Sequence, residues 1–89
     1  MLLEIPPNSL RRLASHTGYT ALGMKISLNG ENTDARGAGT VAELVERYEL
    51  PPKTVLIEHN GLALHRREWP HRKLNEGDRI EVLRVVAGG

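Results

Sequence analysis

The sequence predicts an α+β domain in which one helix covers a mixed sheet of four or five strands. Two Asn-Gly pairs, Asn29-Gly30 and Asn60-Gly61, each lie between strand-like runs and read as tight hairpin turns. One amphipathic helix pattern occupies about residues 40–49. A β-rich run closes the chain, from Arg79 to Val86. A single helix of this kind must bury its apolar stripe on one face of the sheet.

The elements follow in order. Lys25-Ile26-Ser27-Leu28 alternates polar and apolar residues, as a half-buried strand does. Glu31 to Ala35 is the short polar return strand, and Arg36-Gly37-Ala38-Gly39 is a loop. Thr40 with Glu43 forms a capping box, in which each side chain satisfies the other's backbone N–H. Val41, Leu44, Val45 and Tyr48 then fall on one stripe, and Pro51-Pro52 is expected to stop the helix. Thr54 to Glu58 is a β-branched, apolar strand, and Leu62 and Leu64 alternate on its return. Glu68-Trp69-Pro70 is a turn or a short helical turn with Trp69 at the core edge. Asn75-Glu76-Gly77-Asp78 is a tight turn into the last strand, and Ala87-Gly88-Gly89 ends the chain.

Residues 1–23 read differently. Pro6-Pro7 breaks the opening apolar stretch, and the run from Asn8 to Gly23 has no clear period. The domain is therefore expected to start at Met24 and run over 24–89, with 1–23 a disordered extension or a tag.

With 89 residues the chain has room for one domain. Its 39% hydrophobic and 26% charged residues are those of a globular protein. The absence of cysteine excludes disulfides, thiolate metal sites and a cysteine nucleophile, and fits a cytoplasmic location. A net charge of +1 and three aromatic residues give no footing for nucleic acid. No apolar run approaches the length of a membrane span. His59, His65 and His71 lack metal-ligand spacing, so no metal is expected. Catalytic residues are not expected either, since no triad or paired carboxylates stand out.

From Lys25 to Gly89 the chain resembles the ThiS family, the sulfur carriers of thiamine biosynthesis. The resemblance lies in the opening KISLNGE, the helix start TVAELVE, the hairpin HNG, the Glu68-Trp69 stretch, the turn and strand NEGDRIEVL, and the ending VVAGG. It implies a β-grasp fold, with the final strand parallel to the first, and a carrier role. The carboxylate of Gly89 would be adenylated by a ThiF-like adenylyltransferase using ATP, and converted to a thiocarboxylate with sulfur from a persulfide protein. A ThiG-like thiazole synthase would then take the sulfur. The chain would be a co-substrate, binding no cofactor stably and monomeric when free. Related readings are a carrier for molybdopterin or cysteine synthesis and a ubiquitin-like modifier of lysines. A reading from another class is a plain β-grasp interaction module.

The residue types suit such an end. A free α-carboxylate is an anion at neutral pH, and adenylation replaces its charge with a leaving group. Gly88 and Gly89, lacking Cβ atoms, fit a narrow channel, and Ala87 adds little bulk. A tail of about four residues reaches roughly 13 Å when extended. If Ile80 and Val82 face the helix, Leu83 and Val85 face the other way and, with Val86, form a docking patch beside the tail. The alternative is a central strand apolar on both faces for packing alone. The cluster Arg66, Arg67, His71, Arg72 and Lys73 reads as a solvated loop before it reads as a partner surface.

Overall fold

Alternation and turn chemistry place all the described strands in one sheet. The computed structural model describes residues 2–6 and 24–85. Its strands are β1 (Leu2–Glu4), β2 (Lys25–Leu28), β3 (Glu31–Asp34), β4 (Val55–His59), β5 (Leu62–Leu64) and β6 (Arg79–Val85). One α-helix, α1 (Val41–Arg47), and one 3-10 helix (Arg66–His71) accompany them among the described residues. Five strands lie in the order β3-β2-β6-β4-β5, and β1 also pairs with β6. β6 is parallel to β2 and antiparallel to β4, the mixed pairing expected of a β-grasp.

Both Asn-Gly turns have positive φ at both central residues, 50° and 84° in one and 52° and 86° in the other. That is the type I′ turn, whose twist matches that of paired strands. At the sheet edges, β3 is polar and β5 has three residues, which limits edge-to-edge association.

α1 starts as the capping box requires. The Glu43 N–H donates to Thr40 Oγ1 (3.2 Å), and Glu43 Oε1 accepts from the Thr40 N–H (3.1 Å). Val41, Leu44, Val45 and Tyr48 are buried against Ile26, Leu28, Ile57, Ile80 and Val82 in one core with Trp69. Each such side chain contributes about 1.5–3 kcal/mol by leaving water.

The end of α1 differs from expectation. The helix stops before Pro51 is reached, because Glu49 takes a left-handed conformation (φ 53°). The Leu50 N–H donates to the Val45 carbonyl and the Glu49 N–H to that of Glu46, which is a Schellman cap with glutamate in the place usually held by glycine. Substitution Glu49→Gly is therefore expected to stabilise the domain by about 1 kcal/mol, read as a higher urea midpoint.

The expectation that all of 1–23 is disordered is corrected at its start. Leu2–Glu4 forms β1 and Ile5 is buried in the core. Two features outweigh the break at Pro6: an open stretch of β6 backbone to pair with, and a core site for Ile5. Residues 7–23 lie outside the described residues.

Candidate functional site: the end of β6

β6 is the central strand and leads directly into the tail. Ile80 and Val82 are wholly buried beneath α1, so the alternate residues Glu81, Leu83 and Val85 face the open side of the sheet. Leu83 is half-buried there and Val85 exposed. The split between the two faces is the one expected from alternation. Val86, Ala87, Gly88 and Gly89 lie outside the described residues.

The register adds two residues that sequence reasoning missed. Leu56 of β4 is directly opposite Leu83, and Leu2 of β1 is directly opposite Val85. Leu2, Leu56 and Val85 are each more than 40% exposed, so with Leu83 they make an apolar patch at the root of the tail. Glu58 and Glu81, also directly opposite each other, border it on the same face, as does Glu4 opposite Leu83. The signal for Leu56 was legible: it alternates with the buried Val55 and Ile57.

Two buried polar groups hold β6 in place. Asn29, in the first hairpin turn, sends its side chain under the sheet edge to the middle of β6. Its Oδ1 accepts from the Val82 N–H (2.6 Å), and its Nδ2 donates to the carbonyls of Val82 (3.1 Å) and Ile5 (2.5 Å). The amide thus stands in for a strand residue between the end of β2 and Ile5, which follows the end of β1.

Asp78, just before β6, is the second. Its carboxylate accepts from His59 Nε2 (2.7 Å), the Asn75 N–H (2.8 Å) and Asn60 Nδ2 (3.1 Å). Arg72 Nε donates to His59 Nδ1 (3.0 Å), which leaves the proton of a neutral imidazole on Nε2, facing Asp78. Arg72 is thereby drawn out of the basic cluster, while Arg66, Arg67, His71 and Lys73 stay exposed. Desolvation raises the Asp78 pKa, but the hydrogen bonds from His59, Asn75 and Asn60 together outweigh it and hold the carboxyl below its ordinary value. A depressed folded-state pKa gives stability that is present above the unfolded value of about 3.9 and is lost as pH falls through the folded one. Urea melts should show this acid-side loss in the native chain and a flatter profile in Asp78→Asn.

Among the described residues, a mixed sheet covered by one α-helix, with β6 as its central strand, defines a β-grasp domain. Comparison with known proteins agrees. The family model described as the ThiS family matches residues 26–89. The chain is 29% identical to the sulfur carrier protein ThiS of Bacillus subtilis over 65 residues, which are 72% of this chain and 98% of that protein. It is 35% identical to a thiazole synthase of Magnetococcus marinus over 66 residues, spanning 74% of this chain but only 20% of that protein. The crystal structure of the thiamine biosynthesis protein ThiS from Geobacter metallireducens superposes with a TM-score of 0.65 at 29% identity, over 74% of this chain and 100% of that one. The chain belongs to the ThiS family.

Proposed function

We propose that this chain is a sulfur carrier of thiamine biosynthesis whose reactive group is the Gly89 carboxylate. One observation carries the reading: the family match runs to Gly89 itself, just beyond the central strand of the sheet. A ThiF-like adenylyltransferase joins the carboxylate to AMP from ATP, releasing pyrophosphate. The outer sulfur of a persulfide protein attacks the acyl carbon, and AMP leaves. A thiol then cleaves the sulfur–sulfur bond, leaving a thiocarboxylate on Gly89. A ThiG-like thiazole synthase is the acceptor; a thiazole synthase that contains a segment similar to this chain supports that pairing.

The chain supplies the handle and the tail, and its partners supply the catalysis. Ala87 and Gly88 let the end enter a narrow site, and the patch of Leu83, Val85 and Val86, extended by Leu56, docks the partners. Aspartate at Leu83 or Val85 puts a charge into that contact while sparing the core, since both side chains face outward. Each variant is expected to raise the KM for the carrier in ATP–pyrophosphate exchange at least about tenfold, with its melting transition retained. An unchanged KM in both would remove the patch from the docking surface.

A further inference from the structure

The family match begins at Ile26, and the Bacillus subtilis carrier is matched over 98% of its length by 65 residues of this chain. β1 lies outside that matched region, yet it pairs with the strand that carries the tail. Leu2, Leu3 and Glu4 are opposite Val85, Arg84 and Leu83, the last described residues before the tail. On that side of β6, β2 pairs only with Arg79 and Ile80. Residues 2–5 therefore fill a β6 edge that would otherwise be open.

The two ends of this segment are held differently. Ile5 is buried, its N–H donates to the Val82 carbonyl (3.2 Å), and its carbonyl accepts from Asn29 Nδ2. Leu2, Leu3 and Glu4 are all exposed, so β1 itself is held mainly by its backbone pairing. Glu4 also lies beside Glu81, and two carboxylates side by side oppose closure when both are ionised. Ile5 is thus an anchor, and the segment before it is weakly held at the root of the tail. An open strand edge is a standard place for another protein to add an extended segment.

We propose that Leu2–Glu4 is a releasable strap: it occupies the β6 edge at Leu83–Val85 that the adenylating enzyme pairs with when it draws in the tail, so that a closed strap slows loading. The proposal rests on the reading of Gly89 given above. The partner it implies is an enzyme with an extended segment whose backbone N–H and C=O groups replace those of β1.

Two variants test it in opposite directions. In an antiparallel ladder, the bond from the Ile5 N–H to Val82 puts the Leu3 N–H, two residues away, in the hydrogen-bonding position opposite Arg84. Leu3→Pro removes that donor, leaves Ile5 in the core and costs little packing. The pair Leu3→Cys and Arg84→Cys, in a chain with no other cysteine, locks the strap; opposite residues of this type lie about 5.5 Å apart at Cα, within disulfide range. The readouts are hydrogen exchange of the Arg84 amide and the initial rate of ATP–pyrophosphate exchange with the ThiF-like enzyme of the same cell, with thiols omitted. The Arg84 amide faces β1, whereas the Val85 N–H is bonded to Thr54 of the other neighbour.

Leu3→Pro is expected to raise both rates about fivefold, and the oxidised double-cysteine chain to lower both about fivefold, with recovery once it is reduced. Faster Arg84 exchange with unchanged or slower adenylation in Leu3→Pro, or a locked chain adenylated at the native rate, overturns the strap. If even the native chain supports no pyrophosphate exchange, the Gly89 reading has failed. Arg84 protection then decides whether β1 opens, and equal protection in native and Leu3→Pro chains overturns the strap by itself.

Discussion

Alanine in place of Asn29 is expected to destabilise the domain by about 3–5 kcal/mol, a large part of the stability of a domain this size. Asn29 is 4% exposed, and its amide makes three hydrogen bonds to the backbone of Val82 and Ile5. Alanine removes all three and leaves the Val82 N–H and the Ile5 carbonyl without this partner, at about 1–3 kcal/mol for each buried group left unsatisfied. It also pays for a left-handed conformation (φ 50°) that asparagine tolerates better. Asn29→Gly separates these causes, because glycine relieves the backbone and still loses the amide. Most of the loss should persist in glycine. Urea unfolding of both variants measures it, and a loss under about 1 kcal/mol in each would mean that the amide does not substitute for a strand.

Removing Gly89 is expected to have the opposite profile: unchanged stability and almost no loading. The shortened chain still ends in a carboxylate, now that of Gly88, but it is drawn back by about 3.3 Å. A misplacement of about 1 Å at a reacting centre can cost around 100-fold, so loading should fall at least that far. Growth of a thiazole-requiring strain and ATP–pyrophosphate exchange both measure the effect. A residue added after Gly89 should be equally damaging, because the acyl carbon then sits in the wrong place.

Local chemistry made much of the fold legible. Asn29-Gly30 and Asn60-Gly61 announce hairpins through backbone angles that few other residues accept, and Thr40 with Glu43 announces a helix start. Alternation from Ile80 to Val85 separates the buried side chains from the outward-facing ones. What was hidden depends on distant pairing. Leu2-Leu3-Glu4 is too short to show a period, and only the unfilled edge of β6 makes it a strand. Leu56 and Leu83 meet through register, which residue spacing along one strand does not reveal. Asn29 was legible as a turn residue, but its bonds to Val82 join residues far apart in the chain. Likewise, His59 looked like one histidine of several until the fold brought Asp78 and Arg72 to its two ring nitrogens. The stop of α1 at Glu49 contradicts propensity, because the Schellman bonds close over a glutamate where glycine is usual.

In the proposed role the domain acts by holding β6 in a fixed place. Asn29 and Asp78 fix β6 at its middle and its start, the core closes beneath it, and the patch beside its end offers a grip. In the proposed carrier role none of these groups performs the chemistry; each fixes the strand that precedes the last residues.

The most direct test of that account is the intact mass of the full chain purified from cells that contain its natural partners, with thiazole synthesis induced. The account predicts a second species heavier by the difference between a sulfur and an oxygen atom, localised to Gly89 by fragmentation and lost when the adenylating enzyme is deleted. A chain that carries only its ordinary carboxylate under those conditions, while thiazole is still being made, would contradict it.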